Sequence, residues 1–210
     1  MTGNEMLSTL GLRLEDPSES DFTQSAKLDS LNIAQRSVVN LINNAYLTDL
    51  QVIDSDKNMT TGYLAFSSLA NAPIRNGIVA VKVNNGKWAT IIEPTDLKRL
   101  ENTYLAGSTT NPIAYIFNEK IYVEGPAATA PIDVWYMKAP VALEANNTEC
   151  ELNISLHEVV LDLAESQLWK MDAKLDRAAA AYGNATAQIE ALNARYLAEA
   201  PKGIGSKGKA

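Results

Sequence analysis

The sequence is poor in the residues from which reactive sites are usually built. Its 210 residues include one cysteine, Cys150, and one histidine, His157. A lone cysteine excludes an intrachain disulfide and a cysteine cluster for a metal. A lone histidine supplies neither a multi-histidine metal site nor, without a nucleophile beside it, a hydrolytic triad. Its place in the first turn of a helix predicts a surface position. No apolar run reaches the roughly 20 residues that span a bilayer, so no membrane partner is expected. The opening Met1-Thr2-Gly3-Asn4-Glu5 lacks the basic and apolar stretches of a secretory signal, and a soluble protein made in a reducing cytosol is expected. Positive charge is also short: 18 Lys and Arg stand against 25 Asp and Glu, a formal net charge of −7. Affinity for nucleic acid comes mostly from Lys and Arg releasing counterions, so sequence-specific nucleic-acid binding is disfavoured. An acidic surface beside DNA would instead keep it from sticking.

Several fragments approach known motifs and stop short. Gly203–Ala210 nearly spells a phosphate loop, but a helix precedes it where a strand is needed. Its last position is alanine where a hydroxyl should meet magnesium. Asp54-Ser55-Asp56-Lys57-Asn58 copies the start of a calcium loop, yet Met59 stands where glycine is required and Ala65 where glutamate is required. A solvated turn is the plainer reading. Asp172 and Asp176 are four apart, with Lys170, Lys174 and Arg177 around them, and read as an exposed mixed-charge helix face. Nothing matches a nucleophile elbow, a dinucleotide fingerprint or a zinc motif. No catalytic, metal-binding or cofactor-binding residue is therefore assigned, and no cofactor is expected.

The hydrophobic pattern predicts an α+β chain. Met6, Leu7 and Leu10 share one side of a short N-terminal helix. Glu15–Ser20 is a polar break with a proline. A longer helix begins near Asp21, with Leu28, Leu31, Ala34, Val38, Leu41, Ile42 and Ala45 on one face, and ends by about Asp49. The middle turns β-rich. Gly77–Val83 and Lys87–Ile92 flank Asn84-Asn85-Gly86, a hairpin signal because that turn needs positive φ. Pro94 opens a short helix to about Tyr104. Ile113–Phe117 and Lys120–Val123 flank a turn at Asn118-Glu119, and Pro131–Met137 makes a further strand. Strands so close in sequence favour a small antiparallel meander.

The C-terminal region carries the strongest pattern. Ser155-Leu156-His157-Glu158 fits a capping box. Beyond it, Leu161, Ala164, Leu168, Met171, Leu175, Ala178, Tyr182, Ala185, Ile189, Leu192 and Tyr196 alternate steps of three and four, a seam for packing helix on helix or subunit on subunit. Unbroken, these roughly 40 residues would form a rod about 60 Å long. The alternative is a helical hairpin turning near Met171–Lys174, with Asp172 capping the second helix. The tail Pro201–Ala210, with Lys202, Lys207 and Lys209, three glycines and no acid, reads as a flexible basic arm. The expected organisation is one domain over 1–200: N-terminal helices in 1–49, a β-rich segment in 50–140, a helical region in 155–200, and then the tail at 201–210.

Four stretches, in this order, resemble the head-to-tail adaptor (connector) proteins of tailed bacteriophages. Leu31-Asn32-Ile33-Ala34-Gln35-Arg36 resembles the family's early "LN-x-AQ" helix. Tyr115 with Lys120–Pro126 resembles its hairpin that runs into a proline, and Val134–Pro140 its aromatic strand ending in Lys-x-Pro. Leu156–Asp172 resembles its C-terminal helix, although Ser155 stands where the family usually has proline. The resemblance covers most of residues 1–200. It implies a structural virion protein without catalysis: a ring, commonly of twelve copies, docked below the portal at the neck, around the DNA exit channel. Its partners would be the portal protein, tail or neck proteins and its own copies. Its location would be the virion, and the host cytoplasm during assembly. The family's C-terminal arm often reaches into the portal, a role that would fall here to Lys202, Lys207 and Lys209. The alternatives are another head-completion or tail-completion protein, and a small cytosolic enzyme of unknown chemistry.

Overall fold

The computed structural model describes residues 1–83, 86–102 and 106–199. The chain forms two compact units: a helical one from residues 1–49 and the chain from 140 onward, and a β-rich one from residues 50–139. The stretch expected as one domain is thus divided, with both ends of the chain combined in the helical unit.

In that unit α1 (Gly3–Arg13) starts at a reciprocal cap. The Thr2 hydroxyl accepts the Glu5 N–H, and the Glu5 carboxylate accepts the Thr2 N–H at 2.8 Å. Met6, Leu7 and Leu10 face inward, as their spacing predicts. Gly3 is required by close approach: a Cβ there would lie 2.0 Å from the Glu144 carbonyl oxygen. The polar break holds a buried ion pair that periodicity does not foresee. The Asp16 carboxylate accepts N–H groups of Ser20, Asp21 and Phe22 at 2.7–3.3 Å, and the Lys27 Nζ sits 3.2 Å away. Lys27 also donates to the Asp16 carbonyl at 2.7 Å.

Helix α2 (Gln24–Leu41) begins later than expected, because the Thr23 hydroxyl caps it through the Ala26 N–H. Leu31, Ala34 and Val38 are buried along its inner face, whereas Leu41 and Ala45 are exposed. The helix stops before Asn43 and continues as a 3₁₀ segment, Asn44–Leu50. Asn193 holds this end from far along the chain. Its Oδ1 accepts the Asn43 N–H at 2.8 Å, and its Nδ2 donates to the Leu41 carbonyl at 3.1 Å.

The long C-terminal stripe is a helical hairpin, α3 (His157–Met171) and α4 (Leu175–Glu199). The turn is made without glycine or proline. Ala173 adopts φ +57, in the left-handed region. The Lys174 N–H then reaches the Trp169 carbonyl at 2.9 Å, and the Ala173 N–H reaches that of Lys170 at 3.2 Å. This is the paired-bond C-terminal motif that usually recruits glycine. Asp172 caps the end of α3 and does not cap α4; its carboxylate pairs with Lys174 at 2.7 Å. Asp172 and Asp176 therefore do not share one helix. The entry to α3 differs from the expected capping box as well. Ser155 lies in a 3₁₀ turn (Ile154–Leu156) capped by the Asn153 side chain, which accepts both the N–H and the hydroxyl of Ser155, and α3 itself starts after Leu156 with no side-chain cap.

The β-rich unit has two sheets. One orders β1 (Gln51–Asn58), β7 (Pro131–Lys138) and β3 (Pro73–Val83), with β7 central and both pairings antiparallel. The other orders β2 (Tyr63–Ala65), β6 (Lys120–Glu124), β5 (Ile113–Phe117) and β4 (Thr90–Ile92). The calcium-like Asp54–Asn58 is part of strand β1, with a bulge after Asp54, where a solvated turn was expected. The sheets share one core, including Val81, Val83, Val134 and Tyr136 from the first and Leu64, Ala114, Ile121 and Val123 from the second. The connectivity departs from a simple meander, because β4 pairs with β5 in parallel and β7 joins the other sheet. The hairpin at Asn118-Glu119 forms as the sequence implies, with φ +49 and +56. The one around Gly86 is shorter than expected. The Val83 N–H meets the Lys87 carbonyl and the Ala89 N–H meets the Val81 carbonyl, after which the chain leaves for the second sheet. Asn84 and Asn85 lie outside the described residues. Pro94–Glu101 is a 3₁₀ helix, and Tyr104 is likewise outside the description.

Two stability measurements check these assignments. Ala173→Gly removes a left-handed strain worth roughly 1 kcal/mol, partly offset by the freedom glycine gains when unfolded. The variant is expected to be more stable by about 0.5 kcal/mol in urea unfolding. Burial pushes the Asp16 carboxyl upward. The backbone N–H groups of Phe22 and Asp21, with Lys27 and Ser20, outweigh that and hold it well below the usual carboxylate range. Its contribution is present above the unfolded value of about 4 and is lost as pH falls towards the depressed folded value. Asp16→Asn should therefore be less stable than the parent at pH 7, with the gap narrowing at pH 3. A gap that is constant between these pH values would show that the carboxylate's charge is irrelevant.

Candidate interaction surfaces

Polar side chains join distant parts of each unit and fix what its surface presents. In the helical unit Arg13 forks across α3, pairing with Glu158, with Asp162 at 2.6 Å and with Glu165 at 3.6 Å. Asp162 also accepts from Gln188 of α4 at 2.8 Å, so three helices meet at one carboxylate. Asn32 clamps an extended segment more than a hundred residues away. Its Oδ1 accepts the Leu143 N–H at 2.7 Å and its Nδ2 donates to the Leu143 carbonyl at 3.1 Å. Gln35 donates to Asn32 at 3.0 Å, and its Oε1 accepts from the Cys150 thiol. In the β-rich unit the Tyr136 hydroxyl donates to buried Asp54 at 3.2 Å, and Asp54 also accepts the Ala70 N–H at 2.6 Å. Asp54, which resembles a calcium ligand in the sequence, is engaged here by a backbone N–H and a tyrosine hydroxyl.

His157 is corrected from a surface to a buried position, at 5% exposure. Its Nε2 donates to the Leu152 carbonyl at 2.9 Å, and its Nδ1 faces the Met1 amine at 3.2 Å. Burial lowers its pKa from the ordinary value, against the pull of the Leu152 carbonyl. The ring is a neutral structural link between the chain start and α3.

The packing seam divides between interior and surface. Leu161, Leu168 and Ile189 are buried, with Ala164, Ala178 and Ala185, and Leu192 is half-buried. Met171 and Leu175, either side of the turn, are 68% and 67% exposed, and Tyr182 and Tyr196 are also exposed. Lys170 lies 5.2 Å over the Tyr182 ring, while Lys174 and Arg177 cover Trp169 at 4.6 and 4.8 Å. The turn is thus an apolar tip edged by cations. The tail lysines Lys202, Lys207 and Lys209, and the phosphate-loop-like Gly203–Ala210, lie outside the described residues.

A second apolar surface belongs to the sheet β1–β7–β3 and escaped the sequence reading. Ile53 stands opposite Trp135, which stands opposite Ala80. Trp88, bridged to Lys82 beyond β3, brings its ring within 4.8 Å of the Trp135 ring. Trp88 is 56% exposed and Ile53 is exposed as well. The signal available in the sequence was the alternation within β7: Ile132, Val134 and Tyr136 point to the core, so Trp135 points away from it. On the other sheet Tyr115 and Tyr122 stack at 5.0 Å, and Tyr63 lies against Tyr122 at 5.6 Å. No helix among the described residues is long and apolar enough to cross a membrane.

The family model described as SU10 adaptor protein matches residues 1–204. No curated protein matches the chain.

The Asn32 clamp yields a direct check on how the helical unit is held. Asn32→Ala strands the Leu143 N–H and carbonyl, a cost of about 1–3 kcal/mol. Asn32→Asp, which keeps the acceptor and loses the donor, should cost less. Equal unfolding midpoints for the parent and Asn32→Ala would show that water replaces the clamp.

Proposed function

Because the chain belongs to the SU10 adaptor protein family, we propose that it is a non-enzymatic structural subunit of a bacteriophage particle, one copy of a ring that joins the head portal to the tail with DNA passing through its channel. The match over residues 1–204 carries this reading. The build of the molecule supports it. Buried polar groups such as Asp16 and Lys27 hold each other and nearby backbone, and exposed apolar groups such as Met171 and Leu175 are available to neighbours.

An adaptor must present a rigid body to its own copies and adjustable ends to unlike neighbours. The paired helices α3 and α4 supply the body, and their tip supplies Met171, Leu175 and Tyr182 as the part of the seam left for an adjoining subunit. The basic tail with Lys202, Lys207 and Lys209 is assigned to the portal. Ordering such an arm costs conformational entropy that only binding offsets. Free chains therefore remain monomeric at low micromolar concentration, and the portal acts as template for the ring. The net charge of −7 disfavours adhesion to DNA in the channel.

A pull-down on the particle's portal protein tests the assignment. The full chain should be retained, and a chain ending at Ala200 should bind at least tenfold more weakly. Met171→Ser with Leu175→Ser should change stability by less than about 0.5 kcal/mol per site, since both positions are exposed, yet leave rings incomplete in electron micrographs. Equal binding of the truncated chain would remove the tail from the portal contact. Absence of the polypeptide from purified virions would overturn the adaptor reading.

A further inference from the structure

His157 is the one histidine of the chain, and the helical unit buries it with both ring nitrogens engaged. A carbonyl can only accept, so the contact of Nε2 with the Leu152 carbonyl at 2.9 Å places the ring proton on Nε2. Nδ1 is left as an acceptor, and the group facing it, the Met1 nitrogen at 3.2 Å, is a donor. The arrangement has a place for one ring proton and none for a second. A proton on Nδ1 would set N–H against N–H in a site from which water is largely excluded.

The ring holds a short row of backbone bonds. The Met1 carbonyl accepts the Cys150 N–H at 2.9 Å, Thr2 bridges Glu149, the Gly3 N–H donates to the Thr148 carbonyl at 2.9 Å, and the Asn4 N–H to the Asn146 carbonyl at 3.0 Å. Losing the contact at Met1 loosens this row from one end. Beyond it α1 has anchors of its own, with Met6 and Leu10 in the core and Arg13 on α3. Opening can thus be confined to Met1–Asn4 and the segment 146–150. The charged groups of the neighbouring elements act in both directions. The Met1 amine opposes a second positive charge, and Glu158, in the first turn of α3, favours it while pairing with Arg13. Glu5 is held in the α1 cap, and Glu151 by the Val141 N–H. The Cys150 thiol donates to Gln35 of α2, and burial pushes its pKa up.

We propose that His157 is an acid-released latch: a proton on Nδ1 unseats Met1–Asn4 from the segment 146–150 while α3, α4 and the β-rich unit stay folded. The proposal is independent of the adaptor reading. The seated ring resists the second proton, whereas the released ring meets water and takes its ordinary pKa of about 6.5. The seated form is therefore fully favoured above that value, and its advantage is lost as pH falls below it. While the seated ring stays neutral, the opened form gains about tenfold for each further pH unit below about 6.5. The surface that changes is the start of α1 together with the strand-like stretch it covers.

Hydrogen exchange read by NMR on the full chain tests the latch. After correction for the intrinsic pH dependence of exchange, protection of the Gly3, Asn4 and Cys150 amides should fall about tenfold between pH 7.5 and pH 5.5. Amides within α3 and β7 should keep theirs. His157→Gln offers a donor and an acceptor and takes no second proton, so it should hold the three amides at one level across this range. The single histidine gives a single imidazole signal, and the parent chain alone supplies a second reading. Its ring should be the Nε2–H tautomer at pH 7.5 and should titrate below the midpoint of the same ring in the urea-unfolded chain. Unchanged protection of the three amides in the parent, or an equal fall in the parent and His157→Gln, would overturn the proposal. So would a proton found on Nδ1 at pH 7.5, or a midpoint equal to that of the unfolded chain, and neither of these readings needs a variant.

Discussion

The three-residue turn between α3 and α4 decides how the longest apolar stripe of the chain is used. A straight helix would have left the whole stripe unpartnered over some 60 Å. The turn folds it back, burying Leu161, Ala164 and Leu168 on α3 and Ala178, Ala185 and Ile189 on α4. Alanine dominates the α4 side, and small side chains let helix axes approach closely. Close approach is what allows the Ser166 hydroxyl to reach the Ala178 carbonyl at 2.9 Å and Gln188 to reach Asp162. Because an alanine, not a glycine, holds the left-handed position, the pairing of the two helices must outweigh the backbone strain at Ala173. The residues that flank the turn cannot then reach the interior, and Met171 and Leu175 are left outside.

Polar side chains tie the rest of the helical unit to that helix pair. Asn193 of α4 ends α2, Arg13 of α1 reaches three carboxylates of α3, and the Asp16–Lys27 pair fixes the link between α1 and α2. Among the described residues every buried side-chain nitrogen and oxygen has a partner. Satisfied networks of this kind add less to net stability than an apolar core of equal volume, and they penalise alternative packings heavily. A subunit that must present the same surface in every position of an assembly benefits from that penalty.

Local signals in the sequence were reliable where they were self-contained. The Asn118-Glu119 turn needs only its own two positive-φ residues, and the Met6, Leu7 and Leu10 face only helical spacing; both stand as read. Signals that compete with a distant partner misled. Ser155 looks like the cap of α3, but it lies inside a 3₁₀ turn and is held by Asn153, and α3 begins without a side-chain cap. His157 looks exposed until Met1 and Leu152 close over its ring. Asp54 looks like a turn or a ligand until Tyr136, 82 residues later, donates to it. The hairpin turn at Asp172 was legible only as one of two options, since no residue there enforces it. The Trp88–Trp135 contact was not legible, because strand order sets it: β7 lies between β1 and β3, so residues far apart in the sequence share one surface. The α+β class and the helical ends were readable from periodicity. The surfaces required the topology.

The uneven charge constrains how identical copies can meet. Two helical units brought face to face would each bring the whole net charge of −7, and the repulsion would extend over the roughly 8 Å Debye length of physiological salt. Contact through the neutral β-rich unit avoids that repulsion. A contact between two unlike surfaces does not by itself fix the number of copies, since the same interface closes into a ring or continues as an open filament according to the rotation it imposes. Weak contacts leave that rotation soft. In the proposed ring the count would come from the surface on which the copies gather, since contacts too weak to join free chains complete a ring once their sites are held side by side.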